Sequence, residues 1–239
     1  MSLRLRSVAI LGDEFPLHDR YPFNIAPLQG RRELQFRGAV SFFVGENGCG
    51  KSTLIKALAR SCELNTWGQP ERVLGSGELP ATALAAYLRV TLADPAVSGG
   101  LFSAEGFRSW AEFLDDVARL DPGQAKFHGG GELTARSHGE GLLAYFRARY
   151  RVPGLYLLDE PESALSPASQ LELLRVLGAY QQTGHAQFVI ATHSPILMAL
   201  PGSQVFQFSD AEIEEIPYEQ TAHFRLYRDF LGDPDSFLS

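Results

Sequence analysis

Cysteine, methionine and tryptophan are scarce in this chain, with two of each among 239 residues. One of the cysteines, Cys49, sits inside a glycine-rich run, so a disulfide framework is excluded and a reducing compartment, the cytoplasm, is expected. The six histidines and two cysteines show no metal-ligand spacing, which argues against a structural zinc site. No stretch approaches the roughly 18 consecutive apolar residues that cross a bilayer, so no transmembrane segment is expected. The start, Met1-Ser2-Leu3-Arg4-Leu5-Arg6, lacks the apolar core of a signal peptide and already alternates like a strand. Positive charge is in deficit as well. Lysine and arginine number 21 against 28 acidic residues, a formal net charge of −7, which disfavours a surface that coats nucleic acid generally. Arg31, Arg32 and Arg37, or Arg147, Arg149 and Arg151, form local clusters that would serve as a DNA-contacting patch or simply as a solvated face. Sustained heptads, internal repeats and low-complexity tracts are missing too.

What is present is a sizeable core and a punctuated pattern. With 45% hydrophobic residues the chain can bury one large α/β domain or two small ones. Gly45-Glu46-Asn47-Gly48-Cys49-Gly50-Lys51-Ser52 spells a complete G-x-x-x-x-G-K-[ST] loop, followed by Thr53. Such a loop wraps backbone N–H groups around nucleotide phosphates, its lysine reaches the β- and γ-phosphates, and its serine hydroxyl helps hold Mg²⁺. The context agrees. Val40-Ser41-Phe42-Phe43-Val44 reads as the strand entering the loop, and Leu54, Ile55 and Leu58 share one face of a helix leaving it. That helix points its positive N-terminal end at the phosphates. Cys49 is either a redox-sensitive thiol or a residue kept small.

Before the loop, Leu3 to Ile10 and Glu33 to Phe36 read as strands, with an extended loop over Tyr21 to Pro27 between them. Residues 62–136 read as a mostly helical insert. Leu84, Tyr87 and Leu88 fit one helical face, Trp110, Phe113, Leu114 and Val117 another, and Gly129-Gly130-Gly131 makes a flexible lead into the next helix. From Leu142 that helix runs on toward the strand Leu155–Leu158. Ser166-Pro167 then opens a helix in the favoured cap order. Phe188–Ala191 is another buried strand, Ser194-Pro195 opens a short helix, and a hairpin turns about Ser209-Asp210. An aromatic helix around Phe224, Tyr227 and Leu231 closes the pattern. Strands alternating with helices imply a mostly parallel central sheet.

Three further groups carry chemistry. An apolar strand running into Asp159-Glu160-Pro161-Glu162 places carboxylates at the sheet edge where the loop sits. Asp159 is then the Mg²⁺ ligand beside Ser52, and Glu160 the base that orients and deprotonates an attacking water. Ala191-Thr192-His193-Ser194-Pro195 ends another buried strand, placing His193 where it reads the γ-phosphate. Ser137-His138-Gly139-Glu140 before an apolar helix is a capping box, and an exposed helix N-terminus of this kind is also an anion site.

In order, Gly45–Thr53, Ser137–Gly141, Leu155–Glu162, Ser163–Ser166 and Ala191–Pro195 resemble the Walker A loop, signature loop, Walker B strand, D-loop and switch histidine of ABC-type P-loop ATPases. Across nearly the whole chain they look most like the small stand-alone bacterial group related to SMC and recombination-type ATPases. The resemblance implies an α/β fold of the ABC-ATPase type, with N-terminal antiparallel strands, a mostly parallel central sheet and a helical insert at 62–136 within a single domain, 1–239. It implies ATP and Mg²⁺ as ligands and two copies closing head to tail. Ser137 and Gly139 of one copy, flanked by His138 and Glu140, would then meet the γ-phosphate held by the Gly45–Thr53 loop of the other. Three departures stand out. His138 replaces the first signature glycine, Ser166 replaces the D-loop aspartate, and Glu105 is the nearest positional substitute for the Q-loop glutamine. Tyr21 or Phe23 is expected to stack on adenine.

The expected function is therefore an ATPase whose ATP-dependent dimerisation drives a change in a protein or DNA partner. The alternatives are an ATP-binding subunit of a membrane transporter, and an ATP-gated binding module with negligible turnover. The interval between Lys51 and Asp159 leaves no room for the long coiled-coil arms of an SMC machine.

Overall fold

Alternating apolar residues on the short strands point to both faces of a sheet, and both faces are buried. A computed structural model describes residues 3–67, 79–94, 97–127, 129–130 and 132–238. Of the sequence expectations, those on Met1, Ser2 and Gly131 lie outside the described residues. Strand β1 (Leu5–Leu11) pairs antiparallel with β2 (Arg31–Gln35) on one side and β5 (Leu88–Leu92) on the other, forming a small three-stranded sheet. Among the described residues the central sheet has seven strands. Its order is β10 (Ile213–Glu215), β9 (Gln204–Phe208), β3 (Val40–Val44), β8 (Ala186–Ala191), β7 (Gly154–Asp159), β6 (Gly99–Ser103) and β4 (Asn65–Trp67). Every pairing in it is parallel except that of β9 with β10, the expected hairpin.

The period-2 alternation of a strand decides which layer each side chain joins. Phe43, Leu155, Leu157, Val189 and Ala191 face the first helix, α1 (Lys51–Ser61), which lies between the two sheets and buries Leu54, Ile55 and Leu58. Phe42, Tyr156, Leu158, Phe188 and Ile190 face the opposite layer. That layer holds α2 (Phe107–Leu120), α3 (His138–Arg149), α4 (Pro167–Thr183) and the short α5 (Pro195–Met198). A last helix, α6 (Ala222–Gly232), buries none of its residues.

Two buried glutamines clamp the sheets together. Gln187 Oε1 accepts from the backbone N–H groups of Arg4 and Leu5, both at 2.8 Å, and its Nε2 donates to the Leu5 carbonyl at 2.9 Å. Gln204 Oε1 accepts from Arg37 N at 2.6 Å and Gly38 N at 3.1 Å, and its Nε2 donates to the Gln35 carbonyl. Each bond satisfies a backbone group that the gap between sheets would otherwise leave unpaired.

Among the described residues, the stretch expected to be a mostly helical insert, 62–136, holds strands as well as helical segments. Besides α2 and several 3₁₀ turns it contributes β4 and β6 to the central sheet and β5 to the small one. Leu84 and Tyr87 do share a helical segment, the 3₁₀ run Ala81–Tyr87, but Leu88 begins β5. The strand β6 opens with Gly99-Gly100, a poor strand signal read locally. The glycine is required there by the neighbouring strand, because a Cβ at Gly99 (φ +151°) would lie 1.8 Å from the Leu155 carbonyl oxygen.

Candidate nucleotide and hydrolysis site

The strand-to-helix turn at Gly45–Ser52 forms where β3 reaches the C-terminal edge of the central sheet and α1 starts at Lys51. Gly45 has φ +146°, and a Cβ on it would come within 2.4 Å of the Phe208 carbonyl oxygen, so only glycine lets the chain leave β3 this close to β9. Lys51 is buried, and its Nζ donates to the carbonyls of Gly45 and Glu46, both at 2.8 Å. The ammonium is thereby held in the bend of the loop. Glu46, Asn47 and Gly48 are exposed along the outside of the turn, and the Cys49 sulfur sits 3.7 Å from Lys51 Nζ.

Asp159 follows Leu158, so strand parity turns its side chain to the α1 layer. There it accepts the Ser52 hydroxyl at 2.7 Å, although the two residues are 107 positions apart. Burial raises the Asp159 carboxyl above its ordinary pKa, and the Ser52 bond opposes that shift. Glu160 leaves the strand in a left-handed conformation, φ +49°, rare for a residue with a side chain. Its N–H donates to the Ala191 carbonyl at 2.9 Å and its own carbonyl accepts from Ser163 Oγ at 2.7 Å. The bend frees the carboxylate, 42% exposed, to enter a cavity of about 390 Å³ lined by Ser52, Lys56, Ser103, His138, Asp159 and Glu160.

His193 lies beside Glu160. Its Nε2 is 3.7 Å from Glu160 Oε1, and its backbone N–H donates to Glu162 Oε1 at 2.6 Å. On the ring's far side, Nδ1 is 3.3 Å from Nε2 of His223, which belongs to α6. Burial pushes the His193 pKa down and the positive Lys51 adds to this, with Glu160 pulling the other way. Glu162 is raised by burial despite the bond from His193 N.

The capping box at Ser137 is formed in full. Ser137 N and Oγ donate to Glu140 Oε2 at 3.1 and 2.6 Å, and Glu140 N donates back to Ser137 Oγ at 3.4 Å. The chain leading to it is pinned by buried Asp115 in α2, which accepts from Leu133 N, Thr134 N and Thr134 Oγ1. Within one copy, His138 is the residue of this turn that lines the cavity, its ring set edge-on to Phe107.

Ser52 and Asp159 are hard oxygen donors side by side at the phosphate loop, which suits Mg²⁺. That ion is held by one or two protein oxygens together with substrate phosphates rather than by a protein cage. No cluster of three or more His, Cys, Asp or Glu able to hold a metal occurs among the described residues.

Residues 92–199 match the family described as "AAA domain, putative AbiEii toxin, Type IV TA system". The chain is 32% identical over 165 residues to the thiamine import ATP-binding protein ThiQ of Cereibacter sphaeroides, covering 64% of this chain and 69% of that protein. This chain belongs to the ABC-type P-loop ATPases. Another relative, the hemin import ATP-binding protein HmuV of Burkholderia thailandensis, is 27% identical over 216 residues, covering 76% of this chain and 79% of that protein. In fold the ATPase is similar to the SMC head domain from Thermotoga maritima, with a TM-score of 0.51 at 17% identity over 90% of this chain and 99% of that one. Among the described residues no helix of this ATPase is long and apolar enough to cross a membrane.

Several expectations change on this ATPase's own surface. Phe23 is unsuited to adenine stacking, because its ring is buried between Phe15 and Tyr87, with centroids 5.0 and 5.3 Å away. Tyr21 is 37% exposed, and its hydroxyl lies 3.2 Å from Thr53 Oγ1, beside the loop. The Glu105 side chain lies outside the described residues. Ser103, paired in register with Asp159 at the end of β6, lines the cavity. Three of the six arginines in the two clusters form ion pairs and stay more than half exposed. Arg31 pairs with Asp13 and Glu14, Arg37 with Glu215 and Arg147 with Glu172. Sequence reasoning missed Lys56, Ser103, Asp115 and His223. Of these, Lys56 alone carried a local signal, lying one helical turn beyond Ser52 on α1.

Proposed function

We propose that this ATPase binds MgATP in the Gly45–Thr53 loop and hydrolyses it between two copies closed head to tail, with Glu160 as the base. The observation that carries the reading is the convergence of Ser52, Asp159, Glu160 and His193 on one edge of the central sheet, beside the buried Lys51. Lys51 would turn its ammonium from the two loop carbonyls to the β- and γ-phosphate oxygens. Ser52 and Asp159 would hold Mg²⁺, which supplies positive charge to those oxygens when bound. Glu160 accepts the proton of a water as its oxygen forms a bond to the γ-phosphorus and the bond to the departing ADP oxygen breaks. His193 donates to the γ-phosphate from the opposite side.

The loop Ser137–Glu140 stands at the exposed N-terminus of a 12-residue helix, where Ser137, His138 and Gly139 offer donors to an anion. In a closed dimer these groups would meet the γ-phosphate of the other copy, so that hydrolysis removes the bridge between subunits. A single domain over 1–239, with the stretch 62–136 facing a protein or DNA partner, and action in the cytoplasm complete the reading. Light scattering of the wild type and of Lys51→Ala, each with and without MgATP, tests it. Doubling of mass in the wild type alone supports the reading, and a wild type that releases phosphate as a persistent monomer overturns the dimer.

A second reading, the ATP-binding subunit of a membrane transporter, is favoured by the names of the import relatives. Co-purification with a membrane permease from the native cell would decide for it. Purification free of any permease, with full ATPase activity, would decide against it.

A further inference from the structure

We propose that His223 is a positioning residue for γ-phosphate recognition: it donates its Nε2–H to Nδ1 of His193 and so holds that ring in the tautomer whose Nε2 carries the proton toward Glu160. The inference rests on the proposed contact of His193 with the γ-phosphate.

Each imidazole has two nitrogens, and the chemistry depends on which of them bears hydrogen. His193 Nδ1 and His223 Nε2 are 3.3 Å apart, whereas the outer nitrogens, His193 Nε2 and His223 Nδ1, have no hydrogen-bond partner among the described residues. Burial lowers both pKa values first, with Lys51 lowering both and Glu46 or Glu160 opposing, so at neutral pH the rings meet as neutral groups joined by one N–H···N bond. That bond has two directions. If His193 donated, its Nε2 would present a bare lone pair to the Glu160 carboxylate 3.7 Å away and to any phosphate beside it, acceptor against acceptor. If His223 donates, an N–H faces both anions. The negative charge of Glu160 selects the second direction.

The position of His223 is built rather than incidental. Thr221 is fully buried and its Oγ1 caps the first turn of α6 by accepting from Phe224 N at 3.1 Å. Ala222 N donates to Gln207 Oε1 on β9, also at 3.1 Å. The Tyr218 and Phe224 rings pack edge to face at 4.8 Å. These contacts fix the start of α6, although the rest of the helix carries exposed Leu226, Tyr227, Phe230 and Leu231. The C-terminal helix thereby enters the phosphate-sensing arrangement through one side chain.

The test compares affinity for a nonhydrolysable ATP analogue with affinity for ADP, both with Mg²⁺. His223→Phe keeps a ring but removes the donor. It should weaken the triphosphate analogue by about 10-fold, the size of one lost charge-assisted hydrogen bond, and leave ADP unchanged. His223→Gln restores an N–H donor and should recover most of the loss. The ¹⁵N shifts of His193 in the wild type, assigned by comparison with His193→Ala, should be those of an Nε2–H tautomer and should move in His223→Phe. A wild-type His193 protonated at Nδ1, or equal loss of ADP and triphosphate binding in His223→Phe, overturns the inference. The two levels separate cleanly. Loss of triphosphate preference in His193→Ala but not in His223→Phe sinks the role of His223 alone, whereas its retention in His193→Ala sinks the γ-phosphate reading itself.

Discussion

The Ser52 hydroxyl donates to Asp159 Oδ1 at 2.7 Å, tying the first turn of the phosphate-loop helix to the end of the carboxylate strand. This bond compensates only part of the cost of burying Asp159, whose pKa stays raised by desolvation. A carboxyl that holds its proton more tightly when folded contributes stability below the ordinary carboxylate range, and loses it as pH rises through the elevated folded value. In the nucleotide-free protein at pH 8, Asp159→Asn should therefore raise Tm, by roughly 2–4 °C for each kcal/mol of relief. The gain should shrink toward zero as pH falls into the carboxylate range, and turnover should be lost throughout. Differential scanning calorimetry across pH checks the sign; a lower Tm at pH 8 would contradict it.

Glu160, the proposed base, holds a left-handed backbone. Glu160→Gln keeps the shape and removes the base, so phosphate release should fall by about 100-fold or more while ATP binding persists and the dimer accumulates. Gel filtration with saturating MgATP reads the dimer directly.

The same residue offers a stability test independent of chemistry. Glycine tolerates φ +49° and alanine does not, so Glu160→Gly should be more stable than Glu160→Ala by about 1 kcal/mol in urea unfolding. Equal stabilities would mean that this turn relaxes freely.

Ser137→Arg should leave nucleotide affinity intact and abolish ATP-dependent association, because in the proposed dimer a long cation would occupy the space of the other copy's γ-phosphate. The variant also loses its capping box, which costs about 1 kcal/mol, so it remains folded and the two effects separate. Persistent association on analytical ultracentrifugation would show that the trans contact is misplaced.

Gln187→Leu should destabilise the protein by about 3 kcal/mol or more, since it strands two backbone N–H groups and a carbonyl of the small sheet between two layers. Chemical denaturation measures this. A change under 1 kcal/mol would mean water takes over those bonds.

Features written in residues close together along the chain were legible without a fold. The Gly45–Ser52 loop, the apolar strands before it and before Asp159, the caps at Ser137, Ser166 and Ser194, and the hairpin after Phe208 all formed where local pattern placed them. Turns, caps and alternation are governed by interactions within a few positions, so neighbouring residues suffice to specify them. The placement of β6 beside β7, the burial of Phe23, the glutamine clamps and the His193–His223 contact were settled in three dimensions alone. Each depends on which distant segments the strand order brings together. Gly99-Gly100 reads locally as a turn and becomes a strand only because Leu155 runs close beside it. His223 looks like one more polar residue on an exposed helix until the end of β8 arrives next to it.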